Sequence, residues 1–536
     1  MAAPLTVAPP APLVPNAAPA VPAPLFPRDP DPLRHWRRLA PGRAALVDRA
    51  RGGGRRVSYS ELDDVADRRA AALRRLGVSR GDRVAVLAGN RREVVELFFA
   101  CGRVGAALVP LNWRLAAAEL APVLAHARPA LLVGEARFRA AAEQAAAALP
   151  RAPRWIDLDE DAAALLASTS GETSAGGPVH PEEPALVLYT SGTMGQPKGV
   201  ILPRRQIFYN ALATSIAWEL GPADVAPITT PCFHVGGWGV FGTPIWMRGG
   251  TAVLFDHFEP DDFLDALAEE RCTIAFGVPT QFRMLAERPR WGRELPALRH
   301  FISGGAPCPA ALVERVRSSG YRFREGYGLT ECGPNCFATS DDAALAKPGS
   351  VGWPVPFLEM RLAVDADGRE LATAPGEPGE LQLRGPQMFG GYLFDPERTA
   401  EALTPDGWLR TGDLARRDAD GAYTICGRRK EMYISGGENV FPGEVESALC
   451  SHPALSEVVV VGVPDAKWGE VGCAFVVRRI GSERLAAEEV IAFARMRLAG
   501  YKVPKSVLFL DDFPRLGSGK PDRRALAALA PSQGKS

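Results

Sequence analysis

Apolar positions recur along the chain with two periods, one helical and one extended. Leu62, Val65, Leu73 and Leu76 fall on roughly one side of a helix, with Arg69 the interruption on that face. Ser60 reads as the N-cap, with Asp63 three residues on, and Gly77 as the stop. "RVAVLAG" from Arg83 reads as a strand and "REVVELFFACGRVG" as the next helix. "ALVLYT" (Ala185–Thr190), "TIAFGVPT" from Thr273 and "LRHFISGG" from Leu298 read as strands that run into loops. Strands alternating with helices predict an α/β fold with parallel or mixed sheets covered by helices.

The pattern also marks the domains. A length of 536 residues exceeds one ordinary core. Residues 1–26 are rich in alanine and proline, which predicts a flexible extended arm. They carry neither a basic start nor an uninterrupted apolar run, so they do not read as a signal peptide. The stretch from Ser168 to Pro184 reads as a surface spacer. Near Arg428 the character changes to a compact α/β pattern: a strand from Glu457, a helix from Ala486 and a strand from Ser506. The expected division is therefore a large unit at 27–428 and a small one at 429–536, with the border at Arg428–Glu431.

Composition narrows the function classes. Sixty-two basic residues balance 62 acidic ones, which argues against a protein built mainly for nucleic acid. Nine cysteines and seven histidines are scattered without metal-ligand spacing. The thiols read as reduced and mostly buried, in a cytoplasmic protein. No uncharged run has the length of an integral membrane segment.

Chemistry concentrates in a few stretches. "TSGTMGQPKGV" (Thr190–Val200) follows a strand and gathers Thr190, Ser191, Gly192 and Thr193 before Lys198. Hydroxyls, glycine N–H groups and one terminal cation make a phosphate cradle. It is not a Walker A loop, because Pro197 and Gly199 flank the lysine. "PCFHVGGWGVFG" places His234 before Gly236, Gly237, Trp238 and Val240, which reads either as a core histidine beside an aromatic or as a substrate stretch. Taken alone, Glu331 is a solvated glutamate, Asp413 an Asx-turn cap, Lys520 an exposed lysine, and Gly436–Gly437 a tight turn.

Taken together they carry more. The phosphate loop, "YGLTE" at Tyr327–Glu331, "TGD" at Thr411–Asp413, "GRRKEMYISGGENVFPGEVE" from Gly427 and "GSGKPDRRAL" from Gly517 stand in one order. That set resembles the adenylate-forming superfamily of acyl- and aryl-CoA synthetases, peptide-synthetase adenylation domains and luciferases. The resemblance covers nearly everything after the arm. It implies a large domain of two mixed-sheet subdomains and a small barrel, followed by a small mobile α+β domain.

The resemblance also assigns roles. Gly304, Gly305, Ala306, Glu325, Gly326 and Tyr327 would surround the nucleotide, with Tyr327 on adenine. Asp413 would take the ribose hydroxyls, supported by Arg428. Thr330 would touch phosphate and Glu331 would hold Mg²⁺. Lys520 would reach the carboxylate and α-phosphate during adenylation, Lys430 would be the hinge, and Gly436–Gly437 would border the CoA tunnel. His234 would stand between the carboxylate pocket and the thiol tunnel, with Gly236, Gly237, Trp238 and Val240 lining the acyl pocket.

The implied reaction joins a monocarboxylic acid, fatty or aromatic, to CoA through an acyl-AMP, with ATP, Mg²⁺ and CoA consumed or required. Arg248 is the nearby cation that sequence alone leaves unplaced. Two other readings stay open: loading of a separate carrier protein, and a catalytically silent adenylate-binding protein. A homodimer stays open as well. No nucleic-acid partner is expected.

Overall fold

The computed structural model describes residues 26–27, 30–50, 53–160, 179–190, 197–366, 369–516 and 520–530. The expected arm lies almost wholly outside them, as do most of the spacer and Ser191, Gly192 and Thr193 of the phosphate loop.

Two sheets with parallel cores organise the first half. A six-stranded sheet runs Arg154–Asp157, Leu131–Gly134, Arg83–Leu87, Ala107–Pro110, Pro184–Thr190 and Lys198–Pro203. Its pairings are parallel except the last, an antiparallel hairpin that sets Thr190 opposite Lys198. A four-stranded sheet joins Arg55–Ser58, Ala44–Asp48, Thr251–Leu254 and Val225–Ile228. Three further parallel strands are Ile274–Gly277, His300–Ser303 and Phe323–Glu325. The strands that run parallel are buried on both faces, which is why they read as apolar runs without alternation.

The helix Tyr59–Arg75 shows how local chemistry sets a boundary. Ser58, not Ser60, is its N-cap: Glu61 N–H donates to Ser58 Oγ at 3.2 Å, and Ser58 N–H to Glu61 Oε2 at 2.7 Å. Asp63 instead binds the Arg103 and Arg37 guanidinium groups. Arg69, the exception on the apolar face, is buried against Glu96 at 2.5 Å. Gly77 follows at φ +87°, as the stop requires.

A five-stranded antiparallel sheet follows, ordered Arg369–Ala372, Glu359–Ala366, Gly379–Arg384, Leu409–Arg417 and Tyr423–Arg428; it stands where the small barrel was expected. The chain then turns at Arg429–Glu431 into a separate sheet built on the long hairpin Leu455–Asp465 and Gly469–Arg478. The helices Pro442–Cys450 and Ala487–Arg495 pack on it through Val445, Leu449, Val490 and Ala494. The overall class is thus the mixed α/β architecture with a separate C-terminal unit that the sequence implied.

Candidate active site

The site lies where strand ends and inter-strand turns converge. Parallel pairing aligns Ser303 with Glu325, so the turn Gly304–Ala306 and the stretch Gly326–Glu331 leave adjacent strands at the same end. Gly326 N–H donates to the Ser303 carbonyl at 2.8 Å. A Cβ on Gly304 would stand 3.2 Å from both the Gly326 oxygen and the Phe276 ring, and Gly305 has φ +79°. Those two positions require glycine because one turn must lie against the next strand. Gly304 is buried, while Gly305 and Ala306 are exposed and leave their backbone open.

Tyr327 and Asp413 come from different sheets and meet. The tyrosine hydroxyl donates to Asp413 Oδ2 at 2.5 Å, and Arg428 Nε reaches Asp413 Oδ1 at 3.0 Å. Antiparallel pairing sets Asp413 directly opposite Arg428. Burial raises the Asp413 carboxyl pKa, and Arg428 and the Tyr327 hydroxyl work against that rise. Burial and the neighbouring carboxylate raise the Tyr327 phenol far above its ordinary value, so it stays a donor. Asp413 is therefore a buried carboxylate held at both oxygens.

Lys198 and Glu331 pair at another edge of the site. Lys198 Nζ lies 3.2 Å from Glu331 Oε1. Tyr392, which sequence reasoning did not single out, donates its hydroxyl to the same oxygen at 2.9 Å. Its ring sits under Lys198, with Nζ 3.9 Å from the centroid. Gln206, also missed, donates to the Thr330 carbonyl at 2.9 Å. Tyr392 and Gln206 lie outside the quoted motifs, in a turn after "MFGG" and in a mid-chain helix, so no local pattern announced them.

Lys520 arrives from the C-terminal unit. It lies within electrostatic reach of Asp413, Glu431 and Arg428, and it acts on His234 as well. Lys520 is itself exposed. Surrounding protein lowers its pKa, Arg428 adds to the fall, and Asp413 and Glu431 oppose it. Burial, with help from Arg114 and Lys520, brings His234 down to about 4, so its imidazole is neutral near pH 7. Arg114, another residue missed from sequence, lies over the Trp113 and Phe233 rings at 5.1 and 5.7 Å, beside His234.

Other expected residues fall elsewhere. Trp238 and Val240 are core residues and not exposed wall: Trp238 is 1% exposed, packs on Phe98 and donates its indole N–H to the Cys232 carbonyl at 2.6 Å. Gly237 is buried against the Thr230 and Pro231 carbonyls, where a Cβ would come within 2.8 Å. Gly236 alone of that set remains partly exposed beside His234. Arg248 donates to the Leu220 carbonyl at 2.9 Å, at the far end of the following helix. Glu325 is turned to the Gly349 N–H at 3.2 Å, and burial pushes it up to about 7.

Lys430 is exposed in the turn between the two sheets. Gly436 and Gly437 make the turn of the hairpin Tyr433–Val440 with φ +63° and +87°. Trp468 stacks against that turn, where a Gly436 Cβ would meet its ring at 2.8 Å, and its carbonyl accepts the Gly436 N–H at 2.8 Å.

A nucleotide's divalent cation suits this donor set. Among the described residues no cluster of three or more metal-ligating side chains exists. Glu331 beside Lys198 is the single-carboxylate arrangement that Mg²⁺ uses when substrate phosphates complete its shell.

Comparison with known proteins agrees with this geometry. Residues 33–393 match the AMP-binding enzyme family, and residues 444–520 match the AMP-binding enzyme C-terminal domain. The chain is 40% identical to a feruloyl-CoA synthase of Amycolatopsis sp. over 486 residues, covering 90% of this chain and 95% of that one. It is 38% identical to an indoleacetate–CoA ligase of Aromatoleum aromaticum over 492 residues, covering 90% and 94%. ATP-bound MatB from Rhodopseudomonas palustris superposes with a TM-score of 0.85 at 31% identity, covering 94% of this chain and 99% of that one. The o-succinylbenzoate CoA synthetase of Bacillus subtilis, in complex with its acyl-adenylate, superposes at 0.83 with 30% identity, covering 95% and 100%. The chain belongs to the AMP-binding enzymes of the adenylate-forming superfamily.

Proposed function

We propose that this enzyme joins an aromatic monocarboxylic acid to coenzyme A at the expense of ATP, through an acyl-adenylate. The observation that carries the reading is the gathering of Lys520, Asp413, Arg428 and His234 from two structural units around one cleft. The two relatives named above support an aromatic acid, since one is a feruloyl-CoA synthase and the other an indoleacetate–CoA ligase.

Adenylation opens with attack of a carboxylate oxygen on the α-phosphorus of ATP. The bond to pyrophosphate breaks and acyl-AMP forms. Asp413 takes the ribose hydroxyls, held by Tyr327 and Arg428. Thr190 and Lys198, with Ser191, Gly192 and Thr193, take the phosphates. Lys520 offsets negative charge at the carboxylate and α-phosphate. Mg²⁺, held by Glu331 and the phosphates, would supply further charge neutralisation there.

In the second half-reaction the thiol of CoA attacks the acyl carbonyl, a carbon–sulfur bond forms, and AMP leaves. A free carboxylate is a poor acyl donor, and the AMP ester makes this step feasible. Neutral His234 places no competing cation beside the acyl carbonyl. We assign the large domain to residues 27–428 and the mobile domain to 429–536, with Lys430 in the exposed turn as the hinge. Rotation there would withdraw Lys520 and bring Gly436–Gly437 to the thiol path. Nine free cysteines support a reducing, cytoplasmic setting.

Incubation with ATP, Mg²⁺, CoA and a panel of acids, followed by mass spectrometry, tests the reading. Arylalkanoyl or arylpropenoyl thioesters are expected. Acyl-AMP without thioester would favour delivery to a carrier protein, and neither product from any acid would contradict the ligase reading.

A further inference from the structure

Residues Phe389–Leu393 form a clasp between the two ends of the phosphate site. Gly390 N–H donates to the Ile201 carbonyl at 2.8 Å, Ile201 N–H to Gly391 at 3.0 Å, and Leu393 N–H to Gly199 at 2.8 Å. The segment thereby pairs with the strand that begins at Lys198. At its other end, Phe389 N–H donates to the Glu331 carbonyl at 2.7 Å. One short stretch is thus bonded to both Lys198's strand and Glu331's backbone.

Tyr392 occupies the middle of this clasp and points inward. It is 8% exposed. Its N–H donates to Thr399 Oγ1 at 2.9 Å, and the preceding Gly391, at φ +103°, brings the chain so near Thr399 that a Cβ would sit 3.0 Å from Thr399 Cγ2. The Phe389 ring braces its own ring at 5.0 Å between centroids. The side chain is therefore held by contacts within the protein. Its two ends then do different work: the hydroxyl meets Glu331 Oε1 and the ring face meets Lys198 Nζ.

We propose that Tyr392 is a positioning residue for the nucleotide site, orienting Glu331 through its hydroxyl and seating Lys198 on its ring. The inference rests on the reading of the cleft as an ATP site. Lys198 neutralises Glu331, and the Tyr392 ring supports the ammonium from below. When phosphates enter, Lys198 exchanges the carboxylate for a phosphate oxygen while its ring contact persists. Glu331, relieved of the lysine but still tied to the Tyr392 hydroxyl, keeps a defined orientation toward the phosphate-bound cation. The sequence supports the pairing only after folding, because Glu331 is separated from Lys198 by 133 residues and from Tyr392 by 61.

Two substitutions separate the two roles. Tyr392→Phe removes the hydroxyl and keeps the ring; Tyr392→Leu removes both. Acid-dependent pyrophosphate release is measured across a Mg²⁺ series, and ATP binding is measured by calorimetry with Mg²⁺ and with EDTA. Tyr392→Phe should raise the Mg²⁺ concentration for half-maximal release about tenfold, the loss of one hydrogen bond to a charged group. KM for the acid and ATP affinity in EDTA should stay unchanged. Tyr392→Leu should also weaken ATP binding in EDTA, because Lys198 loses its seat.

A wild-type Mg²⁺ requirement in Tyr392→Phe would overturn the inference. So would a parallel loss of every parameter together with a lower thermal midpoint, which marks a packing role. If the unsubstituted enzyme releases no pyrophosphate with any acid, the ligase reading fails, and the calorimetric arms still decide the role of Tyr392.

Discussion

Tyr327 and Asp413, 86 residues apart, meet through a 2.5 Å hydrogen bond that joins the "YGLTE" stretch to the five-stranded antiparallel sheet. Arg428 closes the same carboxylate from the far side at 3.0 Å. Asp413→Asn should raise KM for ATP about ten- to a hundredfold, as expected for losing charge-assisted bonds to ribose. Tyr327→Phe should act in the same direction and more weakly, since the carboxylate keeps Arg428. Steady-state kinetics with varied ATP check both. An unchanged KM in Asp413→Asn would remove the ribose assignment.

Lys520 should separate binding from chemistry. Lys520→Ala is expected to slow pyrophosphate release about a hundredfold or more, the usual cost of one group that stabilises developing charge. ATP affinity by calorimetry should change by less than about threefold, because Asp413, Arg428 and the phosphate loop remain. Thioester formation from pre-made acyl-adenylate should survive. A wild-type adenylation rate in this variant would sink the role.

Gly436 tests the second half-reaction. Its φ of +63°, and a Trp468 ring that any Cβ there would meet at 2.8 Å, leave no room for an L-side chain. Gly436→Val should distort the turn at a cost of about 1–2 kcal/mol. Thioester formation should fall while pyrophosphate release is retained. Equal loss of both rates would place the turn outside the thiol path.

The acid side of the stability curve should carry the signature of His234. Its folded pKa of about 4 lies below the ordinary imidazole value of about 6.5. Between those values the unfolded chain binds a proton that the folded chain does not. Stability from this group is therefore intact above about pH 6.5 and is lost as pH falls toward 4, by on the order of 1–2 kcal/mol at pH 5. His300, brought to about 3 mainly by burial, acts in the same sense. Thermal melts of wild type and His234→Gln from pH 4 to 7 should converge as pH falls; parallel curves would contradict the shift.

Arg69 and Glu96 make a buried pair under the first helix of the six-stranded sheet's cover, 8% and 3% exposed at their side chains. Arg69→Met should destabilise the large domain by about 3–5 kcal/mol, because it leaves a buried carboxylate unpaired. Arg69→Met with Glu96→Leu should recover much of that loss. Denaturant melts of the two variants decide it.

The fold was legible in the chain where burial is two-sided and runs are long. The strands from Arg83, Ala185, Ile274 and His300 follow the apolar runs, and the family reading from five ordered motifs is borne out by the family match over 33–393 and 444–520. Helix ends were harder: Ser58 competes with Ser60 for the cap, and only Glu61's position decides it. Trp238 read as a pocket wall because it sits next to the glycines, but its indole N–H needs a partner and finds the Cys232 carbonyl inside the core. Tyr392, Gln206 and Arg114 were invisible because their roles depend on long-range pairing, which no local pattern encodes.

The most direct measurement is mass spectrometry of the products formed with ATP, Mg²⁺, CoA and a pooled set of aromatic, short-chain and long-chain acids. The account predicts an aromatic acyl-CoA, with AMP and pyrophosphate in equal amounts, and its loss in Lys520→Ala. Formation of neither acyl-AMP nor acyl-CoA from any acid, by protein shown to bind ATP, would contradict it.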